Sequence, residues 1–474
     1  MAAALSSPEE AVLARTVDAS QVNEVERALA TWDLERVFEI QRCADWIRDR
    51  QLTRVTLQFP DGLLKWAPSV ANRLESLVGH RLAILGDTSF GDCCVDEVAA
   101  QHLNADGVIH FGDTCLTPTQ RLPVLFVFTR WPFNRGAFFL AAMNVDAPRV
   151  FLFFDVRYAH AFPPEDEATP LGPVITCQPV QPDIDNPHIL CGRRCPIRPG
   201  SNDTILYCGR DLKYIQLLSL TFNPCQLLQF DPEAETLQSP VSSMKRELMQ
   251  RFYLIERAKD AQRIGILVGT LGVSRYRDII ERVNRAIQSS GKRSYTFLVG
   301  KPNVAKLANF PEIDLFVLIA CPANSIVHSK EYMQPVITPF ELDVALNQDR
   351  AWTGQFLANF QDILPGQTEH IDFQPNSEAD PDISLISGRL RPMSMAASPA
   401  LEDQASHALM AQETRLSNIN DQGGGSFLQS KSWQGLEQKL GQTEVAMAVP
   451  GASGIAAGYA GEGVVGGGPQ EAQL

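Results

Sequence analysis

Cysteine follows an apolar run at three places in this chain. Cys93 and Cys94 come soon after Leu82-Ala-Ile-Leu85, Cys115 after Val108-Ile-His-Phe111, and Cys321 directly after Leu315-Phe-Val-Leu-Ile319 with Ala320 between. The thiolate form of cysteine is a nucleophile and a ligand for zinc and iron. In open α/β sheets ligands gather at the carboxyl ends of strands, so cysteines placed there can converge even from distant parts of a sequence. Asp92 is read as the N-cap of a helix through Val95-Asp-Glu-Val-Ala-Ala-Gln-His102, which puts both neighbouring sulfurs in its first turn. Backbone N–H groups and the helix dipole favour a thiolate there. The two side chains cannot point the same way, so one is expected as ligand and the other as packing. The plain alternative for each cysteine is the core, since free cysteine is among the most buried residue types.

The remaining cysteines carry less. Cys43, Cys177, Cys208 and Cys225 are read as structural. Cys191 and Cys195 form a C-x3-C pair in a Pro- and Arg-rich loop, without the second short pair that zinc sites use. Nor is this the C-x3-C-x2-C loop of ordinary radical enzymes. Gly269-Thr-Leu-Gly272 offers backbone N–H groups to an anion, and a tight strand–helix turn accounts for it equally well. No G-x-G-x-x-G and no P-loop is present. His110 lies within a strand pattern and reads as a core histidine. Asp87 and Asp113 follow glycines at strand ends, where capping explains them.

The elements that must position these residues recur in three sets. Arg54–Phe59, Leu82–Leu85, Val108–Phe111 and Leu122–Phe128 read as strands between helical stretches. Val150–Phe154, a short strand around Val174 and Ile175, and Thr204–Tyr207 form the second set, with a Pro-rich loop over 178–200. A long helix is expected at 240–261, capped by Ser239 with Pro240 at its first position, linking the second set to the third. Ile264–Val268, a helix through Arg277–Val283, Tyr295–Val299 and Leu315–Ile319 form the third. Near-continuous apolar strands separated by helices imply parallel sheets covered on both faces. The fold class is therefore α/β, with three related domains at 36–145, 146–245 and 246–350, after a lead-in at 1–35. Residues 351–474 read as a largely flexible C-terminal extension, with a short ordered piece at Ser426–Trp433.

Bulk properties agree with three domains in 474 residues. The net charge of −14, from 41 basic and 55 acidic residues without a long basic run, argues against sequence-independent nucleic-acid binding. No stretch has the length of apolar sequence that a membrane span needs. Met1–Ser20 has no apolar core of a secretory signal, so a cytoplasmic, reducing compartment is expected.

The cysteine-bearing segments carry a family resemblance. Gly86-Asp-Thr-Ser-Phe-Gly-Asp-Cys-Cys-Val-Asp-Glu97 resembles the diphthamide synthase motif of Gly-Asp-Thr, an aromatic, Gly, a small residue and Cys-Cys-Val-Asp. Ile109-His-Phe-Gly112 followed by Cys115-Leu116 is similar to the next motif of that family. Gly265–Gly272, Lys306-Leu-Ala-Asn-Phe-Pro311, Ile319-Ala-Cys-Pro322 and Phe340-Glu-Leu342 resemble its third-domain signature. The match spans roughly residues 36–345. Ser432-Trp-Gln-Gly-Leu-Glu437 and Leu440-Gly-Gln-Thr443 are similar to the tail of the second eukaryotic subunit.

The resemblance implies three α/β domains around a central [4Fe–4S] cluster, with three protein ligands and one iron open to S-adenosylmethionine. It implies transfer of a 3-amino-3-carboxypropyl group from S-adenosylmethionine to a histidine of elongation factor 2. It also implies a heterodimer with the first diphthamide synthase subunit, and electrons from a small donor protein and an NADH-dependent reductase. The chain departs from the catalytic members in its middle domain. Their Leu-Gly-Cys-Thr-Ser-Pro-like loop corresponds to Val174-Ile-Thr-Cys-Gln-Pro179, so Cys177 is not carried over. Cys94 or its neighbour Cys93, Cys115 and Cys321 are carried over as ligands. On this reading the first subunit performs the transfer, and this chain holds an auxiliary cluster that keeps its partner's cluster reduced. The alternative is a cluster-free scaffold.

Overall fold

The computed structural model describes residues 26–30, 32–86, 91–162, 174–180, 189–239, 241–300, 302–327, 332–374, 383–386 and 388, with a pair at 454–455 and 458–459. The chain divides into two compact units, residues 1–415 and 416–474. In the second unit the described residues form one antiparallel pair, Gly454–Ile455 with Gly458–Tyr459. Asp87, Pro240 and the tail motif at 432–443 lie outside the described residues.

The first unit contains three mainly parallel sheets built on one plan. The first uses β1 (Val55–Gln58), β2 (Ala83–Leu85), β3 (Gly107–Phe111) and β4 (Val124–Val127), in the order β2-β1-β3-β4. The second uses β5 (Val150–Phe154) and β6 (Val174–Thr176). After a small antiparallel insert of β7 (Gln178–Pro179), β8 (Ile189–Leu190) and β9 (Arg193–Arg194), it continues with β10 (Thr204–Cys208), β11 (Gln226–Asp231) and β12 (Thr236–Gln238). Its order is β12-β11-β10-β5-β6, with only β12 antiparallel. The third uses β13 (Arg263–Val268), β14 (Arg293–Leu298), β15 (Leu315–Ile319) and β16 (Val336–Ile337), in the order β14-β13-β15-β16. In each sheet the first strand lies between the second and the third. That is the reversal of strand order where α/β sheets open a crevice at their carboxyl ends.

The sequence accounts for this locally. β3, β5, β10 and β15 are buried at every residue, as strands covered on both faces must be. Helix Ala67–Val78 buries Ala67, Val70, Ala71 and Leu74, one stripe at helical spacing, and ends at Gly79 with φ +81. Helix Tyr276–Ser289 buries Ile279, Val283, Ala286 and Ile287 in the same way. One apolar core joins the first two sheets. Phe138, from the helix Arg135–Met143 between them, packs edge-on against Phe162 at 5.1 Å and Phe230 at 5.3 Å. A second core gathers around the third sheet and takes in Cys94 and Cys321.

Several expectations are corrected. The helix expected from Val95 starts at Glu97, because Asp96 and not Asp92 caps it by accepting from Ala99 N. Cys93 and Cys94 therefore sit in the turn before the helix, and no helix dipole acts on them from its first turn. The third sheet does not end with Leu315–Ile319, the last strand read from the sequence, since β16 follows. β11, β12 and β16 had no apolar run long enough to stand out. Asp113 does not cap a helix; it pairs with Arg157 at 2.5 Å.

Candidate metal centre

The turn Gly91–Asp96 is held by β1. Gln58, the last residue of that strand and fully buried, donates from Nε2 to the Cys94 carbonyl at 2.7 Å. Its Oε1 accepts from Asp96 N at 2.9 Å. Cys94 N closes the turn on Gly91 O at 3.0 Å. The loop after β3 docks onto the same turn: Cys115 N donates to Cys93 O at 3.1 Å and Thr114 Oγ1 to the same carbonyl at 3.3 Å. Farther along, buried Glu97 accepts from the backbone N–H groups of Arg121 at 2.7 Å and Leu122 at 2.9 Å, which fixes the end of that loop.

The third sheet supplies the remaining wall. Cys321 stands at the N-terminus of the short helix Pro322–Ser325, past the end of β15. A Cβ on Gly272 would lie 2.6 Å from Val95 O, so only glycine lets the turn after β13 approach the Cys93–Cys94 segment this closely. That close approach is the use of Gly269-Thr-Leu-Gly272: a tight turn between sheets. From the second sheet's insert, Gly192 at φ +71 reaches Cys115, where a Cβ would stand 3.0 Å from the Cys115 carbonyl.

The outcome is a group of four sulfurs. Cys93, Cys94, Cys115 and Cys321 have Sγ atoms that all lie within 4.8 Å of one another. Cys93 Sγ is 3.6 Å from Cys321 Sγ, and Cys115 Sγ is 3.8 Å from Cys94 Sγ. Adjacent Cys93 and Cys94 thus both face the group, against the expectation that one would serve as packing. A tight turn, unlike a helix or a strand, lets consecutive side chains converge.

The thiols share protons unequally. Hydrogen bonds from the thiols of Cys321, Cys93 and Cys94 hold Cys115 well below the usual thiol value. Their bonds to Cys115 hold Cys93 and Cys94 well above it. Thr117 Oγ1 adds a contact to Cys115 Sγ at 2.6 Å. Thiols must give up their protons as a cation binds, so occupancy of such a pocket releases protons. An all-sulfur donor set, buried or half-buried, is the set that iron–sulfur centres and structural zinc use.

The other sequence candidates lie elsewhere. Cys177 and Cys195 face each other at 3.2 Å in the core of the second sheet. Cys191 lies in the same region with its thiol pushed up to about 12 by burial. Cys43 and Cys208 are buried in the core shared by the first two sheets, and Cys225 in that of the second. His110 is fully buried with Nε2 3.2 Å from Asp92 O, and burial lowers its pKa. Gln58 and Glu97 were missed, as was Asn324, whose Nδ2 lies 3.2 Å from Cys93 Sγ. A glutamine ending a short buried strand was the only sequence signal among them.

A family model described as putative diphthamide synthesis protein matches residues 59–357. A relative from Gallus gallus, named 2-(3-amino-3-carboxypropyl)histidine synthase subunit 2, is 41% identical over 98% of this chain and 99% of its own. Proteins of the same name from Homo sapiens and Schizosaccharomyces pombe are 39% and 35% identical, each over 91% of this chain, and over 94% and 92% of their own lengths. Among solved structures, Dph2 from Pyrococcus horikoshii with a 4Fe-4S cluster superposes with a TM-score of 0.51 at 18% identity. That match covers 65% of this chain and 89% of the other, a likeness of fold.

Proposed function

Because the chain belongs to the diphthamide synthesis protein family and so takes part in diphthamide biosynthesis, we propose that it is the iron–sulfur subunit that keeps its partner's catalytic cluster reduced. The partner is the first subunit of a cytoplasmic heterodimer. Together they transfer a 3-amino-3-carboxypropyl group from S-adenosylmethionine to a histidine of elongation factor 2. A small donor protein and an NADH-dependent reductase supply the electrons. The domain division at 36–145, 146–245 and 246–350 belongs to the same proposal, and three sheets of one strand order support it. Among the described residues no helix is long and apolar enough to cross a membrane.

One observation carries this reading: four sulfurs from two sheets within 4.8 Å of one another. Cys94, Cys115 and Cys321 are the proposed ligands of a [4Fe–4S] cluster, with Cys93 inside the same reach. When bound, the cluster supplies one-electron reduction. The chain's own residues hold the thiols together and keep them buried or half-buried. The 4Fe-4S cluster held by Dph2 from Pyrococcus horikoshii supports the choice of group.

A second reading rests on the two sulfur separations of 3.6 and 3.8 Å. Ligands about 2.3 Å from one tetrahedral ion stand about 3.8 Å apart, so the same pocket suits a single zinc or iron. Labile sulfide separates the readings, since a single ion has none.

The functional test is the heterodimer carrying Cys94→Ala, Cys115→Ala or Cys321→Ala in this chain, assayed with two electron sources. Transfer should persist with a strong chemical reductant and stall with the protein donor and reductase. Loss under both conditions would make these cysteines part of the catalytic site. Full activity under both would leave a scaffold.

A further inference from the structure

Asn324 joins the four-sulfur group to the second sheet. Its Nδ2 lies 3.2 Å from Cys93 Sγ and 3.5 Å from Cys321 Sγ, while its Oδ1 accepts from Lys213 Nζ at 3.3 Å. Lys213 belongs to the first turn of the helix Leu212–Thr221 that follows β10. The lysine decides the orientation of the amide. An ammonium offers only donors, so the amide oxygen must face it and the NH2 end must face the sulfurs. Room for this exists because residue 91 is glycine: a Cβ there would lie 2.0 Å from Asn324 Nδ2.

An added electron spreads negative charge over the sulfurs of an iron–sulfur centre. N–H donors aimed at those sulfurs stabilise the reduced form, and hydrogen bonding to sulfur is one of the protein's main controls on potential. A cation bonded to the far end of the same amide acts in the same direction. We propose that Asn324, oriented by Lys213, is a positioning residue that raises the reduction potential of this centre through N–H bonds to the thiolates of Cys93 and Cys321. This rests on the iron–sulfur reading above.

The test is an electron paramagnetic resonance titration of the full chain, purified without oxygen, with iron and sulfide counted in each sample. Wild type is compared with Asn324→Leu, Asn324→Asp and Lys213→Met. At the potential where wild type is half reduced, the reduced-to-oxidised ratio should fall about tenfold in Asn324→Leu, a shift of about 59 mV for one electron. The fall should be larger in Asn324→Asp, which adds a negative charge, and smaller in Lys213→Met. An unchanged midpoint in Asn324→Leu at full iron and sulfide content overturns the proposal and leaves Asn324 as filler beside Gly91. Should Asn324→Leu lose iron, Lys213→Met, whose side chain does not touch sulfur, decides on the same terms. A wild-type chain without iron and sulfide removes the iron–sulfur reading itself.

Discussion

Two kinds of buried polar side chain set the chemistry at the scale of single residues. Gln58 supports the metal-binding turn through one donor and one acceptor, both buried. Gln58→Leu strands the Cys94 carbonyl and the Asp96 N–H, each costing about 1–3 kcal/mol when buried unpaired. Chemical denaturation should therefore show about 2–6 kcal/mol lost, together with lowered iron content. Asp155 gives a pH dependence. Burial, with Asp113 and Asp211 adding to it and Arg157 opposing, raises its carboxyl to about 6. Tyr207 Oη donates to Asp155 Oδ1, and Arg210 N donates to Oδ2. The unfolded chain holds that proton only up to about 3.9. The folded state thus binds more protons between those values, and stability falls as pH rises from about 4 to about 6. Two pH units correspond to at most about 3 kcal/mol. Asp362, raised to about 7 by burial and Glu369, contributes with the same sign and extends the window upward. Urea melts at pH 4.5 and 6.5 should show the slope in wild type and a shallower one in Asp155→Asn; equal slopes would remove Asp155 from the account.

Among the elements, the long helix Val241–Asp260 and the buried helix Pro339–Leu346 form the frame behind the third sheet. The second begins with Pro339 and a capping box between Thr338 and Glu341, a start signal legible in the sequence. Less legible was the use of Glu341 a second time, as partner of buried Arg251 at 3.3 Å. Removing one member of a buried pair leaves a charge uncompensated and costs about 3–5 kcal/mol. Arg251→Met should lose that much in chemical denaturation, and Arg251→Met with Glu341→Gln should regain most of it. The strands buried on both faces, such as β5 and β15, stood out as unbroken apolar runs. The edge strands β2, β6 and β14 were legible too, while β11, with Gln and Asp at its ends, gave no periodic signal. Long apolar runs record burial on both faces.

For the whole first unit, the functional group exists only where sheets meet. Cys93 and Cys321 are 228 residues apart in sequence and 3.6 Å apart at their sulfurs. Local patterns marked each cysteine as lying past a strand end but carried no information on convergence; that came from the family resemblance. Gly272 lets the first and third sheets approach closely, since a Cβ there would lie 2.6 Å from Val95 O. Gly272→Ala should push the two apart, costing about 1–3 kcal/mol as overpacking does and reducing iron content, both measurable on one preparation. The division of labour between sulfurs was also beyond the sequence, because a turn and not a helix carries Cys93 and Cys94.

The central claim is that this chain itself binds an iron–sulfur centre through cysteines of its first and third sheets. Iron and acid-labile sulfide should be measured per chain after anaerobic purification, in wild type and in Cys94→Ala, Cys115→Ala and Cys321→Ala. The account predicts iron and sulfide in equal amounts in wild type, and loss of both in each variant. Wild-type metal without sulfide, or iron and sulfide unchanged in all three variants, would contradict it.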